Sequence, residues 1–590
     1  MRLSRRLVLG AIALAGTIHV PVIATAADLP TKAPVLKAPI TPITSWTGFY
    51  VGIGAGFRSS ETDVNVTSAT DTTLPAAFGA DPFRASGCLQ GRACYRGLPF
   101  DGVTGRVSPY AGFNWQIWPR TVIGVEADAG FANQTTTLAG SYPATPFFSG
   151  RLSDSFSVKT EWDASVRARA GYLIEPWFLA YATGGASWLH VKSTSVCSTN
   201  LNADGACAVG GFPAFAPSVI SHSDTKVGAT VGGGIEALLW SNWIARAEYR
   251  FADYGTVSNR DVRNSVLGTQ TVTYDVKLQT HTATFGVAYK FGGPFGDYAS
   301  AAPTAYAAYA AYKAPPAARS WTGFYLGAEL GVRASDTTAT LTSATRFFDS
   351  GFVINPLENC RDCNLDDPFS GTAFHGGPYA GYNWQFASQL VAGIEGDFGF
   401  GQQKTTLFGN SGPGLAAFGA SGTMADSYSI KTDWDASVRG RLGYLVTPTF
   451  LAYATGGVAF LRLEETSVCD TNARFVPTAP GFVIIEVGAC APGQRTPVQI
   501  KQSTIRTGFT VGAGLEAKLW SNWVARGEYR FADYGKANFA STRRCAGSTT
   551  ISDPSIGTAT INCFETDVST RSVEVQTHSA MFGLAYLFDY

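Results

Sequence analysis

Charge is what this sequence has least of. Only 15% of its 590 residues are Asp, Glu, Lys or Arg, against roughly 25% in an ordinary soluble domain. The 44 basic side chains are matched by 44 acidic ones, so no net charge is left over. Without a basic surplus the chain lacks the electrostatic footprint that displaces counterions from nucleic acid, and a nucleic-acid partner is excluded. Long apolar runs are equally scarce. Past the first 26 residues no stretch reaches the roughly 18 apolar residues of a membrane-spanning helix. Nucleophile elbows, phosphate loops and H-E-x-x-H metal sites are missing, and Gly232-Gly233-Gly234 lies inside a strand-like segment instead of ahead of a helix. The chain is therefore not expected to be an enzyme or to carry a cofactor or metal. What is plentiful is Gly (65), Pro (29), aromatics (13%) and hydrophobic residues (45%), a composition of many strands and turns and not of a disordered chain.

The N-terminus reads as an export signal. Met1-Arg2, Arg5 and Arg6 precede the apolar stretch from Leu7, and Ala24-Thr25-Ala26 forms an A-x-A cleavage site, giving a signal peptide over 1–26. A Pro/Ala-rich periplasmic lead-in follows over 27–45. The rest is a tandem duplication. SWTGFYVGIGAGFRS from Ser45 recurs as SWTGFYLGAELGVRAS from Ser320, WDASVRARAGYL from Trp162 as WDASVRGRLGYL from Trp434, and FLAYATGG from Phe178 identically from Phe450. WSNWIARAEYRFADYG from Trp240 returns from Trp520, and THTATFGVAYKF from Thr280 as THSAMFGLAYLF from Thr577. Copies this long are whole domains and not solenoid repeats. They divide the chain into units over 46–291 and 320–590, joined by an Ala/Pro/Tyr-rich linker over 292–319.

Within each copy the side chains alternate with period two. Ile123, Val125, Ala127, Ala129 and Phe131 share one face, opposite Glu126 and Asp128. Trp162, Val166, Ala168, Ala170 and Tyr172 oppose Glu161, Asp163, Arg167 and Arg169, and Trp243, Ala245, Ala247, Tyr249 and Phe251 oppose Arg246, Glu248 and Arg250. Segments of about 10 to 15 residues suit tilted strands crossing a bilayer. Long variable segments rich in Ser, Thr, Gly and Asn, read as loops, alternate with short turns such as Glu175-Pro176-Trp177. That is the long-outside, short-inside asymmetry of outer-membrane barrels. Trp46, Trp118, Trp177, Trp240, Trp243 and Phe291 fall at the short-turn end and read as one interfacial girdle. Spans near 49–58, 106–117, 121–132, 156–174, 178–192, 225–239, 243–254 and 276–291 make eight in the first copy. The fold expected is all-β: two tandem transmembrane antiparallel up-and-down β-barrels of eight strands. The alternative is one sixteen-stranded, porin-like barrel. An eight-stranded lumen is just filled by side chains, so Glu126, Asp128, Glu161, Asp163, Glu236 and Glu248 should pair there with Arg167, Arg169, Lys226, Arg246 and Arg250. The carboxylate pairs, with their counterparts Glu395/Asp397 and Asp433/Asp435, then read as a salt-bridged lumen and not as acid/base machinery.

The Pro-rich mature start, WTGFYVGIGAG, the YATGG and EYRFADYG segments and the terminal FGVAYKF together resemble the alphaproteobacterial outer-membrane immunogenic proteins, OmpA-like eight-stranded barrels. The resemblance covers nearly all of both copies. It implies an abundant, surface-antigenic envelope protein in the Gram-negative outer membrane, with haem binding attributed to some relatives. The fusion of two units departs from the family pattern, as does Asp589-Tyr590 after Phe588. The closing strands, with Gly286, Tyr289 and Phe291 and again Gly583, Tyr586 and Phe588, resemble the polar-x-Gly-x-x-aromatic-x-aromatic signal of the barrel-assembly machinery. That machinery, periplasmic chaperones, outer-membrane lipid and lipopolysaccharide are the expected partners. Haem or a host-surface ligand held by the loops is a further option.

Ten cysteines, Cys88, Cys94, Cys197, Cys207, Cys360, Cys363, Cys469, Cys490, Cys545 and Cys563, all fall in variable segments. Paired in sequence order, they are disulfide candidates suited to an oxidising compartment. His190, His222, His281, His375 and His578 are scattered. His222 and His375 sit near expected loop edges and are the candidates for haem contact.

Overall fold

A computed structural model describes residues 45–72, 98–139, 155–197, 207 and, with short interruptions, 216–291, 320–354, 366–408 and 427–588. The segments read as signal peptide, lead-in and linker, 1–44 and 292–319, lie outside the described residues. The first copy forms eight long strands: β1 (Gly48–Asp71), β2 (Gly102–Trp118), β3 (Thr121–Ala139), β4 (Ser155–Glu175), β5 (Phe178–Val196), β6 (Val219–Leu238), β7 (Trp243–Ser265) and β8 (Gly268–Lys290). The second repeats them as β9 (Gly323–Phe348), β10 (Gly371–Gln385), β11 (Leu390–Phe408), β12 (Ser427–Thr447), β13 (Phe450–Val468), β14 (Gln499–Lys518), β15 (Trp523–Asp553) and β16 (Gly557–Phe588). Each strand pairs antiparallel with its sequence neighbour.

The closing strands decide between one barrel and two. β1 pairs along one edge with β2, and along the other with β8, from Tyr50↔Lys290 to Asp71↔Gln270. β9 likewise pairs with β10 and with β16, from Phe324↔Phe588 to Phe348↔Glu565. Two eight-stranded rings result, and the single sixteen-stranded barrel is overturned. Closure leaves neither sheet an open edge, which a bilayer demands because lipid cannot satisfy free backbone groups.

The strands run 15 to 32 residues, longer than the 10 to 15 expected. Much of what reads as variable loop is strand. β7 and β8 stay paired from Thr256↔Lys277 to Ser265↔Gly268, so this expected loop is a tall hairpin standing beyond the membrane. Its Thr, Val and Ser residues suit a pleated surface as well as a loop. Where it leaves the membrane level, the ladder shifts between Asp253 and Thr256. Gly255 takes a left-handed φ of 68° there, and its amide donates to Asp253 Oδ1 at 2.8 Å.

The polarity of the barrel wall reverses along its height. At membrane level the outward positions are apolar and open to the surroundings: Val125 is 48% exposed, Val166 54% and Val227 60%. The inward positions there are charged. Beyond that level apolar side chains take over much of the interior, with buried polar groups such as the Asp261–Arg263 pair further out. Val64, Val66, Phe100, Phe156, Val158, Leu189, Val272, Tyr274 and Val276 form a closed core, while Thr, Ser and Lys face outward. The second copy builds the same cap from Phe369, Tyr428, Ile430, Leu461, Leu463, Phe539, Val573 and Val575.

Candidate functional site

The lumen at membrane level is the chemically distinctive region. Glu126, inward on β3, is its centre. Arg246 of β7 donates to both carboxylate oxygens at 2.6 and 2.9 Å, Tyr50 OH donates at 2.7 Å, and Arg167 adds another ion pair. Arg167 reaches across to Glu248 at 2.9 Å, which also accepts from Tyr181 OH at 2.7 Å. Nearer the periplasm Arg169 pairs with Glu236 at 2.8 Å, and nearer the outside Asp128 accepts from Arg250 at 2.7 Å and Arg106 at 2.6 Å. Asp163 binds Arg106 and, at 2.8 Å, Arg58. All of these side chains are buried. Taking such charges out of water costs several kcal/mol each unless every one finds partners, and the alternation of β3, β4 and β7 supplies those partners from three sides.

The expectations differ from this network in four places. Glu161 is not in the lumen. The β4–β5 ladder shifts between Thr160 and Asp163, and this bulge turns both Glu161 and Trp162 outward, where Glu161 pairs with Lys159 on the partly exposed surface. Asp433 repeats this beside Lys431, at the Thr432/Asp435 shift of the β12–β13 ladder. Lys226 is half-exposed and takes no part in the network. Trp46 is no girdle residue: it is fully buried across the periplasmic mouth, its Nε1 donating to Pro176 O at 3.0 Å. Trp321 does the same with Pro448 O in the second copy. Trp118, Trp243 and Phe291 are 65%, 40% and 46% exposed, as a girdle requires, Trp177 is partly buried, and Trp240 lies outside the described residues. Finally, His375 sits not at a loop edge but deep in the second lumen, bonded to Asp435.

Sequence reasoning missed Arg58 and Arg106, because each stands alone in a run of Gly, Ser and Thr. Comparing the copies could have exposed Arg58, which recurs as Arg333 and binds Asp435 at 2.8 Å. The second lumen otherwise repeats the first. Glu395 is held by Arg526 at 2.6 Å, Arg439 at 2.6 Å and Tyr325 OH at 2.7 Å. Two substitutions are coordinated: where the first copy has Arg106 and Gly54, the second has His375 and Glu329, the latter paired with Arg526 at 2.6 Å. The void left in the first lumen, lined by Arg106, Tyr110, Arg246 and Glu248 among others, has room for about one water.

Cys197–Cys207 and Cys469–Cys490 are disulfides, each with Cα atoms 5.3 Å apart, and Cys545 is disulfide-bonded. Cys88, Cys94, Cys360, Cys363 and the side chain of Cys563 lie outside the described residues. His222 bonds Asp261 at 2.8 Å, His190 stacks on Trp162, and His281 and His578 each accept from or donate to a tyrosine, Tyr249 and Tyr529. No cluster of three or more His, Cys, Asp or Glu suited to a metal occurs among the described residues, and no helix there is long and apolar enough to cross a membrane. Gly286 and Tyr289 lie on β8 with Phe291 just beyond its end, and Gly583, Tyr586 and Phe588 lie on β16, each set on the strand that closes its ring.

Two closed rings with lipid-type exteriors and ion-paired interiors define an outer-membrane β-barrel. The chain belongs to the outer membrane protein beta-barrel domain family, which matches residues 32–291 and again 302–562. Within that class it is homologous to the outer-membrane immunogenic proteins. It is 31% identical over 271 residues to the 31 kDa outer-membrane immunogenic protein of Brucella melitensis biotype 1, covering 46% of this chain and 91% of that relative. To the 22 kDa outer membrane protein of Rhizobium leguminosarum bv. viciae it is 30% identical over 218 residues, covering 37% of this chain and 69% of the relative. The protein is thus a tandem-duplicated protein of the Gram-negative outer membrane. Solved structures similar to it include Ail, the attachment invasion locus protein of Yersinia pestis (13% identity, TM-score 0.21, 41% of this chain and 99% of that one). A Pseudomonas aeruginosa FadL homologue is similar at 11% identity and TM-score 0.23, over 92% of this chain and 91% of that one.

Proposed function

We propose that the protein serves a structural, surface-exposed role in the envelope, without catalysis and without passing solutes through either barrel. The observation that carries this reading is the filled lumen. Glu126 and Glu395 are each locked by two arginines and a tyrosine at membrane level, an apolar cap lies beyond, and Trp46 and Trp321 cover the periplasmic mouths. Conduction would require water to replace a network in which every charge is already paired. Lipid and lipopolysaccharide surround the apolar belt, and periplasmic chaperones and the barrel-assembly machinery act on β8 and β16 through Gly286, Tyr289 and Phe291 and their counterparts. Planar-bilayer recording of the purified full-length protein tests the reading: a silent bilayer is expected, and large, stable conductance steps would overturn it.

A further inference from the structure

We infer that the two barrels are held side by side in the bilayer by an isologous face built into their own strands, each copy being the other's partner. Three observations carry this.

The first is burial where lipid should be. Outward positions around most of each ring are about half exposed, as Val166 and Val438 are at 54% and 53%. Yet Phe57 and Ala283, outward on β1 and β8, are 1% and 2% exposed. They pack with Val332, Ala334 and Ala580 of the second copy. Nearer the periplasm Phe178, Ala237 and Ala245 pack with Phe450 and Ala517.

The second is symmetry. Phe57 and Val332 occupy the same position in the two copies, and so do Ala283 and Ala580, Phe178 and Phe450, and Ala237 and Ala517. One patch therefore meets its own equivalent, the signature of a two-fold interface. The line of contact runs from β5–β7 at the periplasmic end, through β8 and β1, to β1 and β2 near the outside, and its equivalents in the second copy follow the same course. That is the path a contact parallel to the membrane normal takes across tilted strands.

The third is chemistry that lipid could not satisfy. The ladder between β10 and β11 ends at Gly376↔Phe400, so Thr372 NH beyond it lacks a strand partner on that side. It donates to Glu61 of the first copy at 3.2 Å, and Thr372 Oγ1 and Ser59 Oγ lie 2.7 Å apart. Close approach is permitted by small residues, as it must be where lipid tails are as apolar as the side chains and packing supplies the attraction. A Cβ on Gly527 would stand 3.2 Å from that of Ala247.

The test uses the full-length protein in lipid vesicles with a protease site placed in the 292–319 linker. In the variant carrying Ser59→Cys and Thr372→Cys, cutting the linker and denaturing without reductant should leave the halves in one band, which reductant separates. The lipid-facing control pair, Val166→Cys with Val438→Cys, should cross-link at least about tenfold less, reflecting the effective concentration that a fixed interface confers. Adding Gly527→Trp to the first variant should lower its yield toward the control while both halves retain the heat-modifiable mobility of folded barrels. Halves that separate without reductant, equal yields in the two pairs, or cross-links formed only between different molecules would overturn the inference. Should Gly527→Trp fail to fold, the two cysteine pairs decide it alone.

Discussion

Neighbouring acids with opposite fates show what governs this molecule at the residue scale. Glu161 and Asp163 are two positions apart and would share a face in a regular strand, but the bulge at Thr160/Asp163 sends Glu161 to the surface while Asp163 binds Arg106 and Arg58. Asp163→Ala should therefore cost about 3–5 kcal/mol, the penalty for stranding buried charges. Glu161→Ala, losing only a partly exposed pair, should cost under about 1 kcal/mol. Urea unfolding in lipid vesicles measures both, and comparable losses would contradict the bulge. The inward set at Glu126, Asp128, Arg167, Arg169, Arg246, Glu248 and Arg250 could be read from period two alone, because β3, β4 and β7 keep strict alternation between Gly124 and Phe131, Asp163 and Tyr172, and Trp243 and Phe251. Period-two reading fails at a bulge, since one inserted residue exchanges the faces and leaves no mark in composition. It fails also for Trp46, whose indole could serve a girdle or a plug. Only the position of Pro176 O decides that.

Among the elements, the same strand meets two solvents. Val125, outward at membrane level, should tolerate Leu but not Arg, at a cost of about 2–4 kcal/mol near the bilayer midplane. Phe156, inward on β4 beyond the membrane, lies against Phe100 and Tyr274 at ring distances of 5.3 and 5.1 Å. Phe156→Ala should cost about 3–5 kcal/mol and raise amide exchange along the 256–274 hairpin while the membrane-level ladders stay protected. Exchange that is already fast in this hairpin of the unmodified protein would show the cap to be unformed. The cap was hard to see in sequence because its Val, Phe and Tyr positions alternate with Ser and Thr in segments that vary between the copies. Their lengths differ as well, so the duplication that makes the membrane belt obvious gives little help there.

For the whole molecule, duplication supplied most of the legible architecture: the closing-strand pattern that ends each copy pointed to two rings, with one sixteen-stranded barrel as the alternative that the pairing of β1 with β8 then overturned. The fine balance between copies was not legible. At membrane level Arg58, Arg106, Arg167, Arg169, Arg246 and Arg250 face Glu126, Asp128, Asp163, Glu236 and Glu248. In the second copy Arg333, Arg439, Arg441, Arg526 and Arg530 face Glu329, Glu395, Asp397, Asp435, Glu516 and Glu528, with His375 in place of the sixth arginine. The surplus base of one lumen offsets the surplus acid of the other. Because no residue is shared between the two networks, Glu126→Ala and Glu395→Ala should each destabilise one barrel. Their combination should be additive within about 0.5 kcal/mol, read by probes placed separately in each ring. A larger coupling would mean that the two interiors communicate.

The reversal of polarity along the wall also gives these barrels a direction. A hairpin such as β7–β8 must cross the bilayer before its Val272, Tyr274 and Val276 can find Phe156 and Leu189 on the far side. Once these side chains are packed together there, withdrawal would mean unpacking them and returning the polar outer face of the hairpin through hydrocarbon. Assembly therefore works as a ratchet, easy to complete and hard to reverse. The persistence of the inserted protein should be set by how slowly that outer packing loosens.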